Sequence, residues 1–218
     1  MSIQLYFSPG ACSFVPHVML EMAGVPFEPI MVKPHKGEQQ TPEFKALNPN
    51  GQVPVLVDGG EVLTQILALV GYLDKRFPQA HILPESPMAR ARAIELLAWL
   101  NNTVHPTFTH VFMPHKFSDQ AAVQADIRAH AVQQYRHLME SLQARVQALP
   151  PGQWLTGEHP GPVDAYVLTV TRWATIAGIA PTDMPQLWAY VQRVAAVAAV
   201  ARVIERERLN LNMHKPAA

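Results

Sequence analysis

Apolar residues in the first eighty positions come in short runs of four to six, separated by polar and Gly/Pro-containing turns. Beyond position 87 they recur every three or four residues. The first pattern predicts strands interleaved with a few helices, and the second predicts helices throughout. In order, the chain predicts a strand over 3–7, a Pro9-Gly10 turn and a helix over about 13–23. A second strand follows over 27–32, then a polar loop over 33–41 and a helical turn over 42–47. Asn48-Pro49-Asn50-Gly51 is a turn signal. A hairpin then pairs 53–57 with 61–63 through Asp58-Gly59-Gly60, and Thr64 opens a helix with Leu67, Val70 and Leu73 on one face. This order predicts a small α/β domain over 1–78.

A proline-rich connector over 77–87 marks a domain boundary, with Ser86 and Pro87 placed to start a helix. The rest, 88–218, reads as an all-helical domain. Ile94, Leu97, Leu100 and Val104 share one stripe, and a proline at 106 inside that helix predicts a kink over 102–106. A long helix after Ser118 carries an inner stripe from Val123 through Tyr135 to Val146. The segment 162–177 is apolar nearly all round, the mark of a helix at the centre of its domain. Two shorter helices, 184–193 and 195–205, follow. Pro54 at the head of an apolar strand is compatible either with a trans bond at a strand start or with a cis Val53–Pro54 bond.

Hydrophobic residues make up 49% of the 218 positions, enough for a substantial core. Lys plus Arg equals Asp plus Glu at 17 each, so no overall field draws in nucleic acid or an anionic membrane. One cysteine excludes an internal disulfide and fits a reducing compartment. No uncharged apolar run approaches the roughly 20 residues of a bilayer span, and a soluble, cytoplasmic protein is expected. His105, His110 and His115 are five apart, the wrong spacing for a helical ligand pair, so no metal is expected.

That single cysteine, Cys12, follows the Pro-Gly turn at the start of a helix. Unpaired N–H groups and the positive end of the helix dipole favour a thiolate there, so a lowered pKa and a reactive sulfur are expected. Phe108, Phe112, Met113 and Phe117 fit either core or the wall of an apolar pocket.

Tyr6-Phe7-Ser8-Pro9-Gly10-Ala11-Cys12-Ser13, Asn48-Pro49-Asn50-Gly51-Gln52-Val53-Pro54-Val55-Leu56, Leu63-Thr64 and Asp164-Ala165-Tyr166 together resemble the bacterial glutathione S-transferases, closest to the cysteine-containing beta class. The resemblance runs over nearly the whole chain. It implies a thioredoxin-like domain followed by an all-α domain, and glutathione as co-substrate without a metal. It also implies a small hydrophobic electrophile, a homodimer and a role in detoxification. Position by position, Cys12 and His105 correspond to the cysteine and histidine beside the glutathione sulfur, with Ser13 as a further hydroxyl. Lys36 corresponds to a contact of the glycyl carboxylate. Gln52, Val53 and Pro54 form the segment whose backbone pairs with the cysteinyl part, across a cis Val53–Pro54 bond. Gln65 and Ile66 stand where the family has a glutamate and a small, often hydroxylated residue for the γ-glutamyl end.

Those last two positions depart from the pattern. Gln65 keeps a hydrogen-bond acceptor but loses the charge, and Ile66 leaves only a backbone N–H at a helix start. Gly161 replaces a Ser or Thr cap, Ala98 an asparagine, and Pro106 a lysine. Two functions follow as alternatives: conjugation or monothiol disulfide exchange on glutathione, or a non-catalytic binding or regulatory protein with weakened glutathione affinity. Val15 stands where a Cys-x-x-Cys motif would need its second thiol.

Overall fold

A computed structural model describes residues 3–215. Its first lobe is a four-stranded sheet of β1 (Ile3–Phe7), β2 (Phe27–Met31), β3 (Val55–Asp58) and β4 (Glu61–Thr64), in the order β2-β1-β3-β4. β1 and β2 are parallel and joined by α1 (Phe14–Ala23), whereas β3 and β4 form an antiparallel hairpin. The period of two sorts the strands cleanly. Leu5, Phe7 and Leu56 face the main core with α1 and α3 (Ile66–Arg76), while Tyr6, Val55 and Val57 turn to a smaller cluster under α2 (Pro42–Leu47).

The strand directions fix where chemistry can happen. β1 and β2 end, β3 begins and β4 ends at one edge of the sheet, because Phe7 pairs with Met31, Tyr6 with Val55 and Val55 with Thr64. The segments around Cys12, 33–40, Gln52–Pro54 and Gln65–Ile66 therefore all open onto that edge.

The second lobe contains α4 (Pro87–Trp99), a π-helical turn (Leu100–Val104), α5 (His105–Phe112), α6 (Ala121–Gln147), α7 (Pro162–Ile176), α8 (Pro185–Ala195) and α9 (Ala198–Glu207). α7 buries 13 of its 15 residues, as its all-round apolarity predicts. It packs on α1 of the first lobe as well as on α6 and α8, so one hydrophobic cluster runs through both lobes.

Several boundaries differ from the sequence reading. The predicted strand over 53–57 begins only at Val55, since Pro54 has no N–H to give a ladder, and the Val53–Pro54 bond is cis. α3 starts at Ile66 and not at Thr64, because Gln65 holds φ at 72° and breaks the helical geometry before it. The kink expected near Pro106 takes the form of the π turn, in which the His105 N–H reaches back to the Leu100 carbonyl. Ile94 and Val123 are exposed, since the buried faces of their helices run through Ala93, Leu96 and Leu97, and through Ala131, Tyr135, Met139 and Leu142. The Arg90 guanidinium lies 2.6 Å from Asp74 and ties α4 to α3.

The cap of α7 shows how the chain does without a hydroxyl at 161. A Cβ on Gly161 would stand 2.7 Å from the Thr156 methyl and 2.9 Å from the Ile82 carbonyl. The Thr156 hydroxyl fills the capping role from outside the helix, accepting from the Val163 N–H at 3.2 Å. Asp164 accepts from the Gly161 N–H at 2.7 Å and the Leu155 N–H at 3.0 Å, and also receives the Tyr190 hydroxyl. The Gly161 and Val163 N–H groups thus find partners without a side chain at the cap itself, and Pro162 has no N–H to satisfy.

Candidate functional site

The turn Ser8-Pro9-Gly10-Ala11 carries Cys12 from the end of β1 to the start of α1. Ser13 is fully buried, and its hydroxyl is spent on the turn: it donates to the Ser8 carbonyl at 3.3 Å and accepts from the Ser8 N–H at 3.1 Å. The O–H and one acceptor site of the Ser13 hydroxyl expected near the sulfur are thus committed to the backbone of the turn.

Gly10 is held from the other lobe on both sides. Its N–H donates to Glu207 Oε2 at 2.8 Å and its carbonyl accepts from Trp173 Nε1 at 2.8 Å. Its φ of +70° and the Arg172 guanidinium packed on it leave no room for a side chain. Glu207 is itself fully enclosed against His17, with Oε1 2.7 Å from Nδ1. Glu207 ends the apolar stripe Ala199, Val200, Val203 of α9, a charge at a position where periodicity asks for a hydrophobe. That mismatch was the available signal for it.

Cys12 is buried, with Sγ 3.7 Å from the Val53 carbonyl. Burial pushes its thiol up to about 12, against a smaller opposing pull from the backbone N–H groups of Cys12 and Ser13. The expected lowering is therefore overturned. The helix start acts in the direction anticipated, but removal of the sulfur from water outweighs it.

His105 is half-buried at the start of α5. Its Nδ1 lies 2.8 Å from the Tyr166 hydroxyl, and its ring packs on Trp173 at 4.7 Å between centroids. Burial holds the imidazole down at about 4, so it is neutral at pH 7. Tyr166 is raised by burial and then by the nearby Cys12, which puts the phenol, the imidazole and the thiol in one neighbourhood. Trp173 also stacks on Phe108 at 4.9 Å, and Phe108 on the exposed Phe112 at 5.7 Å. Tyr166 and Trp173 looked like core in the sequence, and both are buried. What distinguishes them is a polar tip on an otherwise apolar helix, which must find a partner.

The remaining candidates sit along the sheet edge. Val53 is half-buried, Pro54 is buried, and the exposed Gln52 accepts the Asn48 side-chain amide at its carbonyl, 2.7 Å away. Ile66 turns its side chain into the core, which leaves its N–H at the first position of α3. Gln65 is exposed and left-handed, a backbone state that costs a non-glycine residue roughly 1–3 kcal/mol and concentrates at functional sites. Lys36 is exposed on a short turn of the 33–40 loop. Cys12 and Val53 are in contact, as are His105, Tyr166 and Trp173, whereas among the described residues the Lys36 side chain makes no hydrogen bond or ion pair with these groups. Among the described residues no three His, Cys, Asp or Glu side chains gather as metal ligands would, and no single helix is long and apolar enough to cross a membrane.

Comparison with known proteins gives the same picture. A family profile for the glutathione S-transferase N-terminal domain matches residues 1–75. The glutathione S-transferase GST-4.5 of Xanthomonas campestris pv. campestris is 32% identical over 95% of this chain and all of its own. A maleylacetoacetate isomerase of Pseudomonas aeruginosa is 29% identical over 91% of each chain. The solved structure of a glutathione transferase homologue from Sulfitobacter, with bound glutathione, superposes with a TM-score of 0.87. It shares 26% identity, over 95% of this chain and 99% of its own.

Proposed function

The chain belongs to the glutathione S-transferase family, and from that membership we propose how it works as a glutathione transferase. Glutathione lies along the sheet edge, its cysteinyl part paired with the Val53 backbone and its γ-glutamyl end at Gln65 and the Ile66 N–H. Lys36 serves the glycyl end, Gln52 and Pro54 flank the pairing residue, and the sulfur meets Cys12 and His105. The family resemblance supports these roles. The observation that carries them is the contact of Cys12 with Val53 at the same sheet edge onto which the 33–40 loop and the Gln65–Ile66 segment also open.

Catalysis in this reading rests on placing the sulfur and stabilising its thiolate beside an apolar pocket that takes a hydrophobic electrophile. The cysteine at position 12 favours the beta class over the isomerase-like relatives, with thiol–disulfide exchange as a second activity on the same sulfur. Domain limits at 78 and 88, a homodimer and a cytoplasmic location complete the proposal.

A calorimetric titration with glutathione tests it, with weak but measurable binding expected. No heat at millimolar ligand removes the transferase reading. Turnover of a chloronitrobenzene at saturating glutathione separates an enzyme from a binding protein. Cys12→Ala is expected to abolish disulfide exchange while conjugation persists, and loss of both activities in a folded variant would make Cys12 indispensable to conjugation.

A further inference from the structure

A short hydrogen-bond chain stands behind His105. Asn101, on the π turn, gives its side-chain N–H to Asn102 Oδ1 at 2.9 Å. That orients the amide so that Oδ1 faces the Tyr166 hydroxyl, 3.3 Å away. An amide oxygen only accepts, so the phenol proton points to Asn101. The phenol oxygen is then left to accept, and the group 2.8 Å from it on the other side is His105 Nδ1. A nitrogen that donates there carries the ring's one proton, which leaves Nε2 with a free lone pair.

Resting on the reading of the cleft as the seat of the glutathione thiol, we propose that Asn101 and Tyr166 are positioning residues that fix His105 as the Nδ1–H tautomer and leave Nε2 as the proton acceptor for that thiol. Three further observations support this. Nε2 has no hydrogen-bond partner among the described residues and is not sealed from solvent. Burial keeps the Tyr166 phenol protonated and the imidazole neutral, so the chain of donors is intact at neutral pH. Asn101 and His105, four residues apart, both reach Tyr166 on α7 from one face of the helical segment that contains the π turn.

In the step itself the glutathione S–H bond breaks, its proton moves to Nε2 and the electron pair stays on sulfur. The imidazolium keeps its Nδ1–H bond to the phenol oxygen and faces the thiolate through Nε2–H. The negative sulfur formed beside it offsets the burial that otherwise disfavours the charged ring. After attack on the electrophile, Nε2 returns its proton to the leaving group or to the adduct.

Long-range proton–nitrogen NMR of the labelled, ligand-free protein reads the tautomer directly, with His105→Asn identifying the ring's signals. The wild type is expected to show a proton on Nδ1 and none on Nε2. Tyr166→Phe is expected to move the ring toward Nε2–H and to lower kcat roughly tenfold to hundredfold, with the glutathione Kd within about twofold. Asn101→Leu should do the same and carries the test if Tyr166→Phe fails to fold. Asn101→Asp keeps an acceptor and should preserve both the tautomer and most of kcat. A wild-type ring protonated on Nε2, or a tautomer shift with no change in kcat, overturns the proposal. Failure of the wild type to bind glutathione would instead remove the function it rests on, and the NMR result would stand apart from it.

Discussion

The α/β lobe and the helical lobe meet the cleft with different parts of the chain. At the sheet edge the outward groups are largely backbone: the Val53 segment beside a cis proline and the Ile66 N–H at a helix start. The helical lobe contributes side chains, each fixed by burial: His105 on Tyr166 and Trp173, Trp173 on Phe108, Glu207 on His17. Backbone groups recognise a peptide whatever side chains carry them. Side chains set proton positions and distances. The lesson is that side-chain substitutions should be tolerated in the first lobe and costly in the second, and experiments can press on that contrast from either end.

The largest effect is expected at Trp173. Trp173→Ala removes a buried indole that joins His105 to the Cys12 turn, and should cost about 3–5 kcal/mol in denaturant unfolding. Its kcat should fall on the order of a hundredfold even where the variant folds, because the two lobes lose their fixed separation. A Trp173→Ala protein with near-normal kcat would break the contrast outright.

Next comes the acid limb of stability. His105 has an ordinary value of 6.5 when unfolded and about 4 when folded, so the unfolded chain binds the extra proton first. Its contribution is full above pH 6.5 and is lost as pH falls toward 4, by at most about 3 kcal/mol in total. Urea midpoints measured across that range should fall in the wild type and flatten in His105→Gln.

Gln65→Glu should sharpen the first lobe's side by restoring charge where the γ-glutamyl ammonium is proposed to sit. Calorimetry is expected to show glutathione bound roughly threefold to tenfold more tightly, the modest gain of a charge-assisted bond at an exposed position. The smallest effect should be that of Val53→Ala, whose backbone is unchanged. A glutathione Kd within about threefold of wild type is expected, a shift below ~1 kcal/mol. A large loss there would mean that the valine side chain, and not its peptide groups, does the recognising.

Much of this was legible from residue order. Alternation gave the strands of the first lobe, Asp58-Gly59-Gly60 gave the hairpin, and the uniform apolarity of 162–176 gave the central helix. What escaped had physical reasons. Periodicity cannot see the positive φ of Gln65, so the pattern predicts an α3 two residues too long. A helix start advertises a reactive thiol, but the burial that reverses the effect at Cys12 involves the Val53 segment, 41 positions away in sequence. Glu207 and Trp173 lie 197 and 163 positions from Gly10, and no local pattern spans such distances.

Those separations have a consequence for how the protein is made. Gly10 is translated 163 residues before the indole that donates to its carbonyl and 197 residues before the carboxylate that accepts from its N–H. A ribosome-bound chain can build its sheet early and still lack a finished Cys12 turn. The thiol acquires its mature surroundings only after α9 has docked, so premature termination before Glu207 would leave a chain with a sheet and a loose sulfur.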